Sequence, residues 1–194
     1  MKRWAVLFTL AMCLIQASGE AQTLFQEDFE TDLSAWDAEG AWARTGQAAF
    51  RGYYGAHDSP GTFYENNANR SLTLAAPLDF SSAVNPAVSF WHRYLLEDFY
   101  DWGYLEVTTN GTDWVQLDAY SGNQGEWAYE QLDLIPFAGQ PSVRFRFRLA
   151  TDDSVVRDGW FIDDVVVGEK PAPPVLDGNA QTNPPGIALS WSAS

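Results

Sequence analysis

Between residues 143 and 149 the chain reads Val-Arg-Phe-Arg-Phe-Arg-Leu, with apolar side chains at every second position and arginines between them. A period of two places the apolar set on one face of a strand and the arginines on the other, whereas a helix would scatter both around its circumference. Runs of the same period recur between Gly, Asn, Asp and Pro, and no stretch of the exported chain keeps helical apolar spacing over three turns. The pattern predicts an all-β protein with strands near 23–29, 41–44, 71–74, 87–94, 103–109, 114–119, 127–132, 142–149 and 160–167. Thr109-Asn110-Gly111-Thr112 falls between two of these runs and predicts a hairpin over 103–119, because Asn and Gly both tolerate positive φ.

The rest of the composition narrows the function. Twenty-six acidic residues against 11 basic ones leave a formal charge of −15, which excludes nucleic-acid and anionic-membrane partners, since both need clustered Lys and Arg. Divalent cations are the natural ionic partners. The one cysteine, Cys13, rules out an intramolecular disulfide, a CxxC metal site and a cysteine nucleophile. Residues 1–21 carry Lys2 and Arg3, then an apolar stretch over 4–15, then Ala17, Ser18, Gly19 and Ala21. That is the layout of a secretory signal peptide, too short for a membrane span of about 20 residues. Met12 before Cys13 is not the small residue that lipid attachment requires. Cleavage would leave an exported, cysteine-free chain that relies on a large aromatic core, bound ions, or both.

Four segments then resemble a known group: Phe25-Gln26-Glu27-Asp28-Phe29-Glu30, Ser89-Phe90-Trp91-His92-Arg93-Tyr94, Thr109-Asn110-Gly111-Thr112-Asp113-Trp114, and Asp158-Gly159-Trp160-Phe161-Ile162-Asp163-Asp164-Val165. Together they resemble the MAM-like jelly roll that accompanies immune-inhibitor-A-type metallopeptidases, related to cleaved-adhesin domains. The resemblance implies an antiparallel two-sheet jelly-roll sandwich, concanavalin-A-like or MAM-like, with its first and last strands adjacent. It covers residues 22–168. Residues 169–175 are a proline-rich linker, and 176–194 resemble the incomplete start of a fibronectin type III module, a sign of further domains in the parent chain. His57 and His92 are the only histidines and no HExxH is present, so no peptidase site is carried here.

The resemblance points to Glu30 and Asp163 as calcium ligands, with Asp28 and Asp164 as second choices and Asp58 as a further one. Hard oxygen ligands crowded at the two ends of the domain favour calcium; the plainer reading is exposed carboxylates at strand ends. Strict alternation would set Glu27 on the face of Phe25 and Phe29, with Asp28 and Glu30 on the other, and would pair Ile162 with Asp164 against Asp163. Asp152, Asp153 and Asp158, like Glu97, Asp98 and Asp101, suit either calcium or turn capping. Trp91, Tyr94, Trp102, Tyr104, Trp114 and Trp127 suit either a sugar-stacking platform or the core, where a mid-domain residue such as Trp91 belongs by default. Arg144, Arg146 and Arg148 suit an anionic ligand or cross-strand ion pairs. Glu126 and Glu130 have the i, i+4 spacing of a glycosidase pair but lack an acidic triplet around them, and no catalytic residues are assigned. The sequence reads as a secreted, non-catalytic adhesion or ligand-binding module, calcium-stabilised, for an extracellular glycan or protein; Trp91, Tyr104 and Arg146 are its ligand-binding candidates. A carbohydrate-binding module and a structural spacer beside a peptidase domain are the alternatives.

Overall fold

The computed structural model describes residues 22–170; the expected signal peptide, residues 171–175 of the expected linker and the expected fibronectin-like start lie outside them. Eleven strands form in chain order: β1 (Thr23–Glu27), β2 (Trp36–Ala38), β3 (Ala43–Thr45), β4 (Gly55–His57), β5 (Asn69–Leu74), β6 (Pro86–Leu95), β7 (Trp102–Thr108), β8 (Val115–Tyr120), β9 (Asn123–Asp133), β10 (Arg144–Ala150) and β11 (Gly159–Glu169). Each of the nine expected strands is present. β2 and β4, three residues each, fall outside the expected runs.

The strands make two antiparallel sheets. One has the order β3-β4-β11-β6-β9, with β1 also paired to β11; the other has the order β2-β5-β10-β7-β8. β6 lies along one edge of β11, from Gly159↔Leu95 to Glu169↔Pro86. β4 and β1 divide the other edge between them: β4 pairs Phe161 and Ile162, and β1 pairs Val165 through Gly168. The first and last strands of the sandwich are therefore neighbours. β11 also runs through Glu169, one residue into the expected linker.

The inner faces of the two sheets enclose a core rich in rings. Trp36 packs against Phe25, Phe29, Phe145 and Phe147, while Trp160 meets Trp42, His92, Tyr120 and Phe147. Val143, just before β10, and Phe145, Phe147 and Leu149 along it are buried, as the alternation requires.

Three local expectations are corrected. β1 ends at Glu27, and Phe29 reaches the core with φ +57°, so period two does not extend to Asp28, Phe29 and Glu30. A bulge between Asp163 and Val166 adds a residue to β11, with Asp164 at φ +46°; Val165, not Asp164, joins Ile162 in the core. The β7–β8 hairpin forms, but Gly111 alone in its turn has positive φ. Asn110 acts through its side chain instead, where Oδ1 accepts from the backbone N–H groups of Thr112 and Asp113, and the loop is wider than a two-residue turn.

Candidate functional site

The expected calcium ligands lie around the point where β1 gives way to β4 along β11. Asp163 sits in the bulge, fully buried. Its Oδ2 accepts the N–H groups of Phe50 and Arg51 at 2.7 and 3.2 Å, and its Oδ1 accepts that of Asp164 at 2.7 Å. Burial pushes its carboxyl up to about 6, the three N–H groups pulling the other way. Glu30 Oε1 accepts the N–H groups of Tyr53 and Tyr54 at 2.7 and 2.8 Å. Asp28 closes a local turn onto Glu30 N–H, and Asp164 faces Arg51 at 3.7 Å. Asp58 lies elsewhere, its Oδ1 accepting Trp160 N–H at 2.6 Å.

No three of these side chains bring their carboxylate oxygens within 4.8 Å of one another. Among the described residues, the group of three or more acidic, His or Cys side chains whose ligand atoms lie within 4.8 Å of one another is Glu97, Asp101 and Asp152, and none of the five expected ligands belongs to it. Arg44, which nothing in the sequence singles out, donates from Nε to Phe29 O and from Nη2 to Glu30 O. Glu97, Asp101 and Asp152 come from two clusters read separately in the sequence. Asp101 ties their loops together, accepting from Tyr64 Oη at 2.5 Å and Asp152 N–H at 2.8 Å, both far away in sequence.

Tyr104 and Arg146 meet on the outward face of the five-stranded sheet. Register sets Glu106 of β7 opposite Arg146 and Tyr104 opposite Arg148 of β10. Glu106 Oε2 accepts from Arg146 Nε at 2.7 Å and Arg148 Nε at 2.9 Å, and Oε1 accepts from Arg148 Nη2 at 2.8 Å. Burial raises the Glu106 carboxyl, but the two guanidiniums outweigh it and hold it below its ordinary value. Arg146 lies over the Trp114 ring at 4.1 Å and Arg148 over Tyr104 at 4.4 Å. Trp102 and Tyr104, two apart on one face of β7, stack with centroids 6.3 Å apart and 21° between planes. Arg144 is bonded to Asp37 and Leu74 O. The three arginines are thus matched by carboxylates, which is the ion-pair reading of β10 rather than the anion-binding one. Glu106 was legible only as a strand residue two beyond Tyr104.

Trp91 is neither core nor part of that face. It points outward from the six-stranded sheet, covered by Phe50 at 3.6 Å and 8° and flanked by Tyr129. Trp91 therefore lies on the opposite side of the sandwich from Tyr104 and Arg146. Glu126 and Glu130 lose the regular face assumed for them, because β9 bulges where it passes from Ala128↔His92 to Gln124↔Tyr94.

The antiparallel two-sheet jelly roll is a fold shared with domains of known structure. Solved structures similar to this chain include the K3 cleaved adhesin domain of Lys-gingipain from Porphyromonas gingivalis (18% identity, TM-score 0.53, covering 78% of this chain and 100% of that one). The CBM22-1 xylan-binding domain of Paenibacillus barcinonensis Xyn10C is also similar (16%, 0.52, 78% and 97%), as is TmCBM61 in complex with β-1,4-galactotriose (19%, 0.51, 74% and 94%). These likenesses establish the fold. In sequence, Bacillopeptidase F of Bacillus subtilis (strain 168) is 33% identical over 161 residues, 76% of this chain. The chain spans 11% of that relative's length. No family model matches.

Proposed function

We propose that this domain is a non-catalytic binding module for neutral glycans, exported as an accessory part of a larger protein, and that it binds on the outward face of the five-stranded sheet. The observation that carries the reading is the set of Trp102, Tyr104 and Trp114 rings held by Arg146, Arg148 and Glu106. Ring faces stack on the apolar faces of sugars, and paired Arg and Glu side chains offer fixed donors and acceptors for hydroxyl groups. Because each guanidinium already pairs with a carboxylate, Arg146 and Arg148 with Glu106 and Arg144 with Asp37, leaving one net positive charge among the five groups, the face suits an uncharged ligand better than a polyanion. That two of the similar structures are a xylan-binding domain and a complex with β-1,4-galactotriose, and that a similar sequence lies in Bacillopeptidase F, supports the same reading.

Calorimetry of the chain against xylo- and β-1,4-galacto-oligosaccharides tests it. Tyr104→Ala is expected to weaken the binding about fivefold to thirtyfold, given roughly 1–2 kcal/mol for a lost ring contact, with little change in melting temperature. Absence of binding across a wide glycan panel, or binding unaffected by Tyr104→Ala and Trp102→Ala, would exclude this face as the site.

A further inference from the structure

We propose that Arg44 is itself the cation that joins the first strand to the loop before β4, so that the junction at which the family resemblance places calcium is closed without a metal ion. This inference stands apart from the glycan reading.

The two carbonyls there, and one oxygen of each carboxylate, already have their donors. Phe29, at φ +57°, reverses the chain just after β1, and its carbonyl and that of Glu30 both meet the one guanidinium of Arg44, the second at 2.6 Å. Consecutive carbonyls beside carboxylates are the oxygen set a hard cation takes; here a planar fork of N–H donors takes the carbonyls instead. The Tyr54 ring lies 3.2 Å beneath the guanidinium carbon, and Tyr54 N–H in turn bonds Glu30 Oε1. Arg44, Tyr54 and Glu30 therefore form a closed circuit of contacts between β1, β3 and the β3–β4 loop.

One oxygen of each carboxylate is spoken for in the same way. Glu30 Oε1 holds two backbone N–H groups, and Asp163 holds three. Glu30 Oε1 and Asp163 Oδ2 each accept two N–H bonds and so have spent the lone pairs a metal would use at those atoms, and the N–H dipoles turn their positive ends toward the place such an ion would sit. The Glu30 side chain also fits closely against Gly52, where a Cβ would stand 2.3 Å from Oε1 at φ +72°, so loop and carboxylate are shaped to one another.

The test is thermal melting of the full chain in calcium and in chelator, for wild type, Arg44→Met, Glu30→Gln and Asp163→Asn. Arg44→Met keeps the stem and removes the fork, and is expected to lower the midpoint by at least about 5 °C, equally in both buffers. Any calcium response of the wild type should persist undiminished in Glu30→Gln and Asp163→Asn, which would support the proposal by placing that ion elsewhere. A calcium-restored midpoint that disappears in either carboxylate variant overturns it, as does an Arg44→Met chain that melts like wild type. If Arg44→Met does not fold, the calcium response of Glu30→Gln decides the matter alone.

Discussion

Asp58 closes β4 with its side chain out of solvent, one oxygen on Trp160 N–H and the other, Oδ2, without a partner. Burial pushes its carboxyl up to about 7 and that of Asp163 to about 6. His57 and His92 are shifted the other way: burial pulls both down to about 4. Each ring is held neutral in one tautomer, His57 donating from Nε2 to Asp158 O and His92 accepting Trp160 Nε1–H at Nδ1. The two pairs oppose each other in linkage. The raised carboxylates contribute stability below their ordinary value near 4 and lose it as pH rises toward 6–7. The lowered histidines contribute above their ordinary 6.5 and lose it as pH falls toward 4. Asp58→Asn removes one of the falling contributions. Its melting temperature should therefore climb more steeply with pH than the wild type's between about 4 and 7, and run parallel to it on either side. Melting curves across that range check this, and parallel curves throughout would show that Asp58 does not titrate there.

At the level of elements, the close approach of β7 to β11 makes a sharper demand than any side-chain choice. A Cβ on Gly103 would lie 2.6 to 3.0 Å from three atoms of the Trp160 ring, which is fully buried among four other rings and has nowhere to move. Gly103→Ala should cost about 1–3 kcal/mol by overpacking, read from the midpoint of denaturant unfolding; an unchanged midpoint would mean the two strands can part cheaply. This contact was not legible in the sequence, where Gly103 is simply the start of a run. What was legible follows one rule. β10 and β6 could be read because long strands with one buried face alternate strictly, and the pairing of Arg146 and Arg148 with a carboxylate follows from three arginines on one face of an acidic protein. The β11 bulge was not legible, because Phe161-Ile162-Asp163-Asp164-Val165 fits a regular strand equally well until Asp164 adopts positive φ. The candidate face was half legible: Tyr104 and Arg146 were named, yet Trp91 was grouped with them although it lies on the other sheet, since alternation tells which side of a strand a residue takes and not which sheet the strand joins.

The whole sandwich depends on its last strand. β11 is paired along both edges, to β6 on one side and to β4 and β1 on the other, and it sends Trp160, Ile162, Val165 and Val167 into the core. Burial of each is worth roughly 1.5–3 kcal/mol, so together they rival the roughly 5–15 kcal/mol that separates a native domain from its unfolded chain. A chain ended after Asp158 should therefore show no cooperative thermal transition, since β1, β4 and β6 would all lose their central partner. β1 sits at the other extreme, with one partner and with Leu24 and Phe25 only partly buried. Removing residues 22–27 should lower the midpoint while keeping a cooperative transition, because the remaining strands of both sheets keep their pairing. Calorimetry of the two truncated chains separates the cases. A sharp transition in the chain ended at Asp158 would mean that the two sheets hold together without the strand that joins their first and last segments.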